Sequence, residues 1–257
     1  MDFLLECIGF PPSVAAEEIV ALAQERGEPA PWRGRATDHL LLRLGSGLQV
    51  RADRDPEHGY WSLTPFYEVP HRLRLSVQTV IRPQDSPYDA LLSGWAAPPP
   101  PWSTESRQGA YRLSAWISDA RRLGRRVQVG QVLAVSVAGF SLSVDRVLPP
   151  ETRPEGGGFE DTAGASVRPI GGEGSPGGCC DVSLRVQTVR RILNEVTGEE
   201  VEMVVCAAPE RPLVLFLSRW QLERDGLPAP RAGWRVEGTF LMSGRLSGGL
   251  RSTRTGP

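Results

Sequence analysis

Apolar and polar positions alternate with a period of two through most of this chain. The pattern is cleanest from Gly233 to Leu246. There Trp234, Val236, Gly238, Phe240, Met242, Gly244 and Leu246 are apolar or lack a side chain, while Arg235, Glu237, Thr239, Leu241, Ser243 and Arg245 are mostly polar. This predicts a half-buried β-strand. Glycine weakens a strand, so Gly238 and Gly244 on the apolar face predict bends or close backbone approaches, as in a strongly curved sheet or small barrel.

From the amino end, the apolar run FLLECIGF at residues 3 to 10 stops at Pro11 and Pro12. Ser13 is then placed to cap a helix running to about Arg26, with Ala15, Ile19, Leu22 and Ala23 at helical spacing and Gly27 as the stop. His39 to Leu44 and Leu48 to Asp53 flank the turn Gly45-Ser46-Gly47 as a hairpin. Tyr60 to Glu68 and Arg72 to Arg82 predict two more strands, and Asp85-Ser86-Pro87 a short helix or turn reaching Trp95.

Tyr111, Leu113, Ala115 and Ile117 alternate with Arg112, Ser114 and Trp116 in a further strand. Gln131 to Val147 divides into two strand-like arms about Ala138-Gly139, and Val182 to Val196 into one long strand or two interrupted at Thr188 to Arg191. Val201, Met203 and Val205 mark a returning strand, Leu213 to Leu217 a short and wholly apolar one, and Ser218 to Arg224 a helical turn. The segments beginning Gly130-Gln-Val-Leu and Gly233-Trp-Arg-Val echo each other faintly, a pattern that chance alone produces in β-rich chains.

The fold class is therefore α+β and β-dominated: about ten mostly antiparallel strands, one or two helices, and a curved sheet or small barrel in the C-terminal half. Residues 1–97 read as an N-terminal α+β half, 98–109 as a Pro-rich connection, 110–250 as a β-rich C-terminal half and 251–257 as a disordered tail. Within the second half, 149–178 is dense in Gly, Pro, Glu and Ser and reads as a flexible loop that cannot bury enough apolar surface to order itself.

Composition narrows the chemistry. The 257 residues are 40% hydrophobic and 23% charged, with a net charge of −1, so nothing pulls the whole chain towards nucleic acid or an acidic membrane. All 29 basic residues are arginine, as a GC-rich coding bias would produce. Without lysine, Schiff-base, pyridoxal-phosphate, lysine-base and Walker-type phosphate mechanisms have no side-chain amine to use. Cys7, Cys179, Cys180 and Cys206 are too few and scattered for a disulfide framework, and the adjacent pair matches no zinc spacing. Asp2 and Glu6 stand where a signal peptide needs positive charge, and no apolar run approaches a membrane span. These features point to the cytoplasm and away from the membrane.

Candidate sites are few. His39, His58 and His71 lie near Asp38, Asp53, Asp55 and Glu57, but no pair has close metal-ligand spacing, and surface or hairpin-end roles account for them. No G-x-S-x-G string occurs. Cys206, among Val204, Val205 and Ala207, reads as a core thiol. Glu17-Glu18 and Glu199-Glu200 read as solvated acids at a helix start and beside a turn. The loop Arg121, Arg122, Arg125, Arg126, close to Tyr111 and Trp116, could pair phosphates and stack bases of a single strand. The sequence thus names no catalytic, cofactor-binding or metal residue and no cofactor.

Several positions resemble an uncharacterised bacterial family, a domain of unknown function in clostridia-type bacteria. FLLECIGF is similar to its start, an apolar pair followed by Ile8-Gly9-Phe10. Asn194, Thr197, Glu199 or Glu200, Met203 and Cys206 resemble its N-x-x-T-x-E and the alternating strand that follows. Gly233, Arg235, Gly238 and Gly244 resemble its closing G-x-R-x-x-G and the glycine that follows it. The resemblance implies a shared fold and a cytoplasmic bacterial setting, and carries no catalytic residue across.

The expected function is that of a non-enzymatic binding or scaffolding protein with a protein partner. The alternatives are a nucleic-acid-binding module using the Arg121–Arg126 loop, and an enzyme with an unrecognised site. Neutral charge favours the first, the arginine loop the second, and the missing catalytic strings weigh against the third.

Overall fold

The computed structural model describes residues 3–30, 38–55, 57–83, 86, 88–100, 108–123, 127–150, 165–171 and 177–247. Among these residues three α-helices, α1 (Phe3–Glu6), α2 (Ala16–Arg26) and α3 (Arg219–Arg224), accompany thirteen strands. The first four strands are β1 (Glu28–Pro29), β2 (His39–Gly45), β3 (Leu48–Arg54) and β4 (Trp61–Tyr67), paired in that order as a small antiparallel sheet.

The others are β5 (Leu73–Ile81), β6 (Ala90–Ala96), β7 (Tyr111–Ile117), β8 (Val132–Leu148), β9 (Ala165–Pro169), β10 (Cys179–Leu193), β11 (Glu200–Cys206), β12 (Leu213–Leu217) and β13 (Arg235–Leu246). They form one nine-stranded sheet, mostly antiparallel, whose parallel contacts among the described residues are β12–β8 and β7–β13.

The sheet closes on itself twice. β8 and β13 pair along twelve register positions as a central antiparallel ribbon. At one end β5, β6 and β7 lead from the outer edge of β8 round to the outer edge of β13. At the other, β12, β11 and β10 make the same journey. The expected curvature is present, but it takes in strands from both sides of the Pro-rich stretch. Because β5 and β6 share a sheet with β7 and β8, the change of sheet falls between β4 and β5 and not at 98–109.

The predicted closing strand forms as patterned: Val236, Gly238, Phe240, Met242, Gly244 and Leu246 are all buried. A Cβ on Gly238 would collide with the Ser143 carbonyl, and one on Gly244 with the Ser136 carbonyl. Register shifts beside Gly238 and between Thr239 and Phe240 bend the ribbon where these backbones meet.

Four expectations need correction. The arms about Ala138-Gly139 are one strand of 17 residues, because Gly139 is not a turn but the gap into which Leu215 and Met242 pack. Asp85 to Trp95 contains strand β6, whose alternately buried Ala90, Leu92, Gly94 and Ala96 carry a period of two in small residues. Helix α2 is capped at Ala15, whose backbone N–H donates to the Glu18 carboxylate at 3.1 Å, and not at Ser13. Within 149–178, Ala165–Pro169 is strand β9 against β10; residues 151–164 and 172–176, like 251–257, lie outside the described residues.

Two hydrophobic clusters result. The larger fills the interior of the nine-stranded sheet, from Leu73 and Leu113 to Val236 and Phe240. The smaller lies between the outer face of β8, β11 and β12 and a cover made by α1, α2 and the small sheet. Strand β12 is wholly apolar because it serves both: Leu213, Leu215 and Leu217 face one cluster and Val214 and Phe216 the other. In the second cluster the Phe216 ring stacks on Phe140 at 5.2 Å and meets Tyr67 edge-on at 5.0 Å.

Candidate functional site

The structure separates the three histidines. His71 Nε2 donates to the Pro212 carbonyl at 2.6 Å, tying the start of β5 to the turn before β12. His58 sits in the exposed turn after β3, where Asp55 accepts from the backbone of Glu57 and His58 and from the His58 ring. Those bonds hold the Asp55 carboxyl below the usual carboxylate range, the His58 backbone contributing most. His39 donates from Nδ1 to Asp53 at 2.9 Å. Asp53 also pairs with buried Arg51, which lies 3.6 Å from buried Asp89, so this ionic cluster pins β2 and β3 to the approach of β6. Among the described residues no three His, Cys, Asp or Glu side chains gather to hold a metal ion.

The arginine loop is partly engaged. Arg121 lies over the Tyr88 ring at 4.2 Å from its centroid. Arg122 pairs with Asp119 at 3.0 Å and donates to the Leu246 carbonyl at 2.6 Å. Arg125 and Arg126 lie outside the described residues. Tyr111 is buried in the larger core, where desolvation pushes its hydroxyl pKa up, so its ring is no stacking platform. All four cysteines are buried free thiols, and burial pushes Cys180 and Cys206 up to about 12, which removes the thiolate that nucleophilic chemistry needs.

A site that the sequence did not name lies where the β10–β11 hairpin meets α3. Alternation on β11 turns Val201 and Met203 towards the smaller cluster and leaves Glu200 and Glu202 on the opposite face, at the end of the row that Val204 and Cys206 begin; on β10, Arg191 stands directly across from Glu202 and Leu193 across from Glu200. Helix α3 starts at Ser218, whose hydroxyl accepts from the Gln221 backbone at 3.0 Å, and this phases Arg219, Leu222 and Glu223 towards the hairpin. Leu227 and Ala229 continue the wall. The result is an open cleft of about 250 Å³ with an apolar floor of Leu222, Leu227 and Ala229 under charged walls.

Its ion pairs are graded by exposure. Arg191 reaches Glu200 at 3.4 Å and Glu202 at 4.0 Å from a largely exposed position. Arg219 pairs with Glu199 and lies over the Trp220 ring. Glu202 is the most enclosed carboxylate of the group; desolvation raises its pKa, Arg191 opposes the rise and Glu200 adds to it. The Glu223 carboxylate has no hydrogen-bond or ion-pair partner among the described residues, although its backbone carbonyl accepts from Gly226.

No protein-family model, curated protein or solved structure matches the chain. The cleft residues were invisible in the sequence because they come from two segments read separately, as solvated acids beside a turn and as a helical turn. The one available signal was the alternation that puts Glu200 and Glu202 together on one face of a strand. No helix among the described residues is long and apolar enough to cross a membrane.

Proposed function

We propose that this chain is a non-enzymatic, cytoplasmic binding or scaffolding protein, and that its protein partner docks on the cleft between the β10–β11 hairpin and α3. The observation that carries this reading is the cleft's form. At about 250 Å³ it falls below the roughly 300–1,000 Å³ of enclosed small-molecule sites, and it is open on one side. Leu193, 49% exposed on the same strand face, adds an apolar anchor beside it. Apolar contact beside a charged, concave spot is the anatomy of a protein interface.

Site-specific photo-crosslinking tests it. A benzophenone amino acid replacing Leu193 in the full chain, irradiated in extract of the native host, is expected to give a discrete protein adduct. Excess unlabelled wild-type chain should suppress that adduct, whereas a chain carrying Glu202→Arg should not. The same probe replacing Glu57 serves as the control. Equal adducts at both positions, or an adduct with nucleic acid alone, would overturn the proposal.

A further inference from the structure

The cleft has a charge imbalance that constrains its occupant. The lining sets Glu200, Glu202 and Glu223 against Arg191 and Arg219, and Arg219 is already paired with Glu199 beside the cleft, which leaves three lining carboxylates to Arg191 alone. Both arginines are already committed, Arg219 to Glu199 and Arg191 to Glu200 and Glu202. An anionic ligand would have to break one of these pairs, while a cation finds the Glu223 carboxylate without a partner among the described residues and Glu202 held by Arg191 only at 4.0 Å.

Resting on the protein-partner reading, we infer that the cleft is a receptor for an arginine side chain of that partner. Its stem would lie on Leu222, Leu227 and Ala229 and its guanidinium between Glu202 and Glu223. Long basic side chains cover apolar surface with their methylenes and keep the charged head among polar groups, which matches a cleft with an apolar floor and acidic walls. A planar guanidinium offers five donors in a fixed fork, so it can serve carboxylates from two different elements at once, where an ammonium acts as a point charge. The enclosure of Glu202 makes its contact worth more than an exposed pair, because water and salt screen it less.

The test is a titration of the full chain with N-acetyl-arginine methylamide, followed by the leucine methyl resonances in NMR. N-acetyl-citrulline methylamide is the neutral isostere and N-acetyl-glutamate methylamide the anionic comparator. The expected result is saturable shifts of Leu193, Leu222 and Leu227 with the arginine probe alone. Affinity should fall about tenfold in Glu202→Gln, as for the loss of a charged hydrogen bond, and less in exposed Glu223→Gln, with Glu57→Gln unchanged. Unshifted methyls elsewhere show that each variant is folded. Equal binding of citrulline, preference for glutamate, or an unaffected Glu202→Gln would overturn the inference. A Leu193 crosslink that survives any of those results would leave the protein-partner reading intact. Binding of arginine with no crosslink would instead sink that reading and, with it, the claim that the arginine belongs to a protein.

Discussion

Asn194 shows how a single side chain can join segments far apart in the sequence. It is fully buried; its Nδ2 donates to the Ile8 carbonyl at 2.9 Å, and its Oδ1 accepts from the backbone of Val196 and Thr197. The Thr197 hydroxyl donates to the Gly9 carbonyl at 2.8 Å. Gly9 has φ +90, and a Cβ there would meet Val201 at 2.8 Å, so the contact needs glycine on one side and asparagine on the other. Asn194→Ala leaves buried backbone groups unsatisfied and should destabilise the protein by about 1–3 kcal/mol. Chemical denaturation checks this, and an unchanged midpoint would show that water takes over the amide's bonds. The sequence made these residues noticeable as motifs but could not pair them, since 186 positions separate Ile8 from Asn194.

Glu202 carries a prediction of opposite sign. Burial raises its folded-state pKa above that of the unfolded chain, so ionisation works against folding. That penalty is absent below the unfolded value, near pH ~4.3, and complete once the pH exceeds the folded value. Glu202→Gln should therefore raise the denaturation midpoint at pH 7, with the gain shrinking towards zero as the pH falls below the ordinary glutamate range. A lowered midpoint at pH 7 would mean that the pairing with Arg191 outweighs desolvation. A substitution that stabilises the fold while weakening binding is what a functional position would show.

At the scale of elements, legibility followed the contrast between alternate positions. β13 is legible because bulky apolar residues alternate with mostly polar ones, whereas β6 is not, because Ala90, Gly94 and Ala96 write the same period in small residues. β8 was cut in two by a glycine that tertiary packing requires, since Leu215 and Met242 occupy the volume a side chain at 139 would fill. Gly238 is the sharper case, where the obstacle is backbone that cannot swing aside. Gly238→Val should destabilise by at least the ~1–3 kcal/mol of an overpacked core and disturb the register shift beside it. Thermal unfolding with amide shifts of Ser143 and Val144 reads both effects; full stability with unmoved shifts would show that the ribbon can open there without strain.

For the molecule as a whole, the β8–β13 ribbon belongs to both rings, and neither ring closes without it. Its central amides should therefore exchange with solvent only on global unfolding, while the turn at residues 57–60 and β1 open locally. Hydrogen exchange with mass spectrometry would contradict this if peptides covering Phe140 or Met242 exchanged as fast as those covering that turn and β1. This ring closure could not be read from the chain, because alternation gives each strand its faces but not its neighbours.

The position of β13 also sets a clock. Translation proceeds at about 5–20 residues per second, and 87 residues separate the end of β8 at Leu148 from Arg235, so the ribosome needs roughly 4–17 s to supply the partner that β8 requires. Throughout that interval a 17-residue, largely apolar strand has an open edge, the kind of surface on which nascent chains associate with one another. Soluble yield should accordingly respond to expression temperature and to chaperone supply more than the stability of the finished protein does. A chain released before Arg235 would leave both rings open at the same moment.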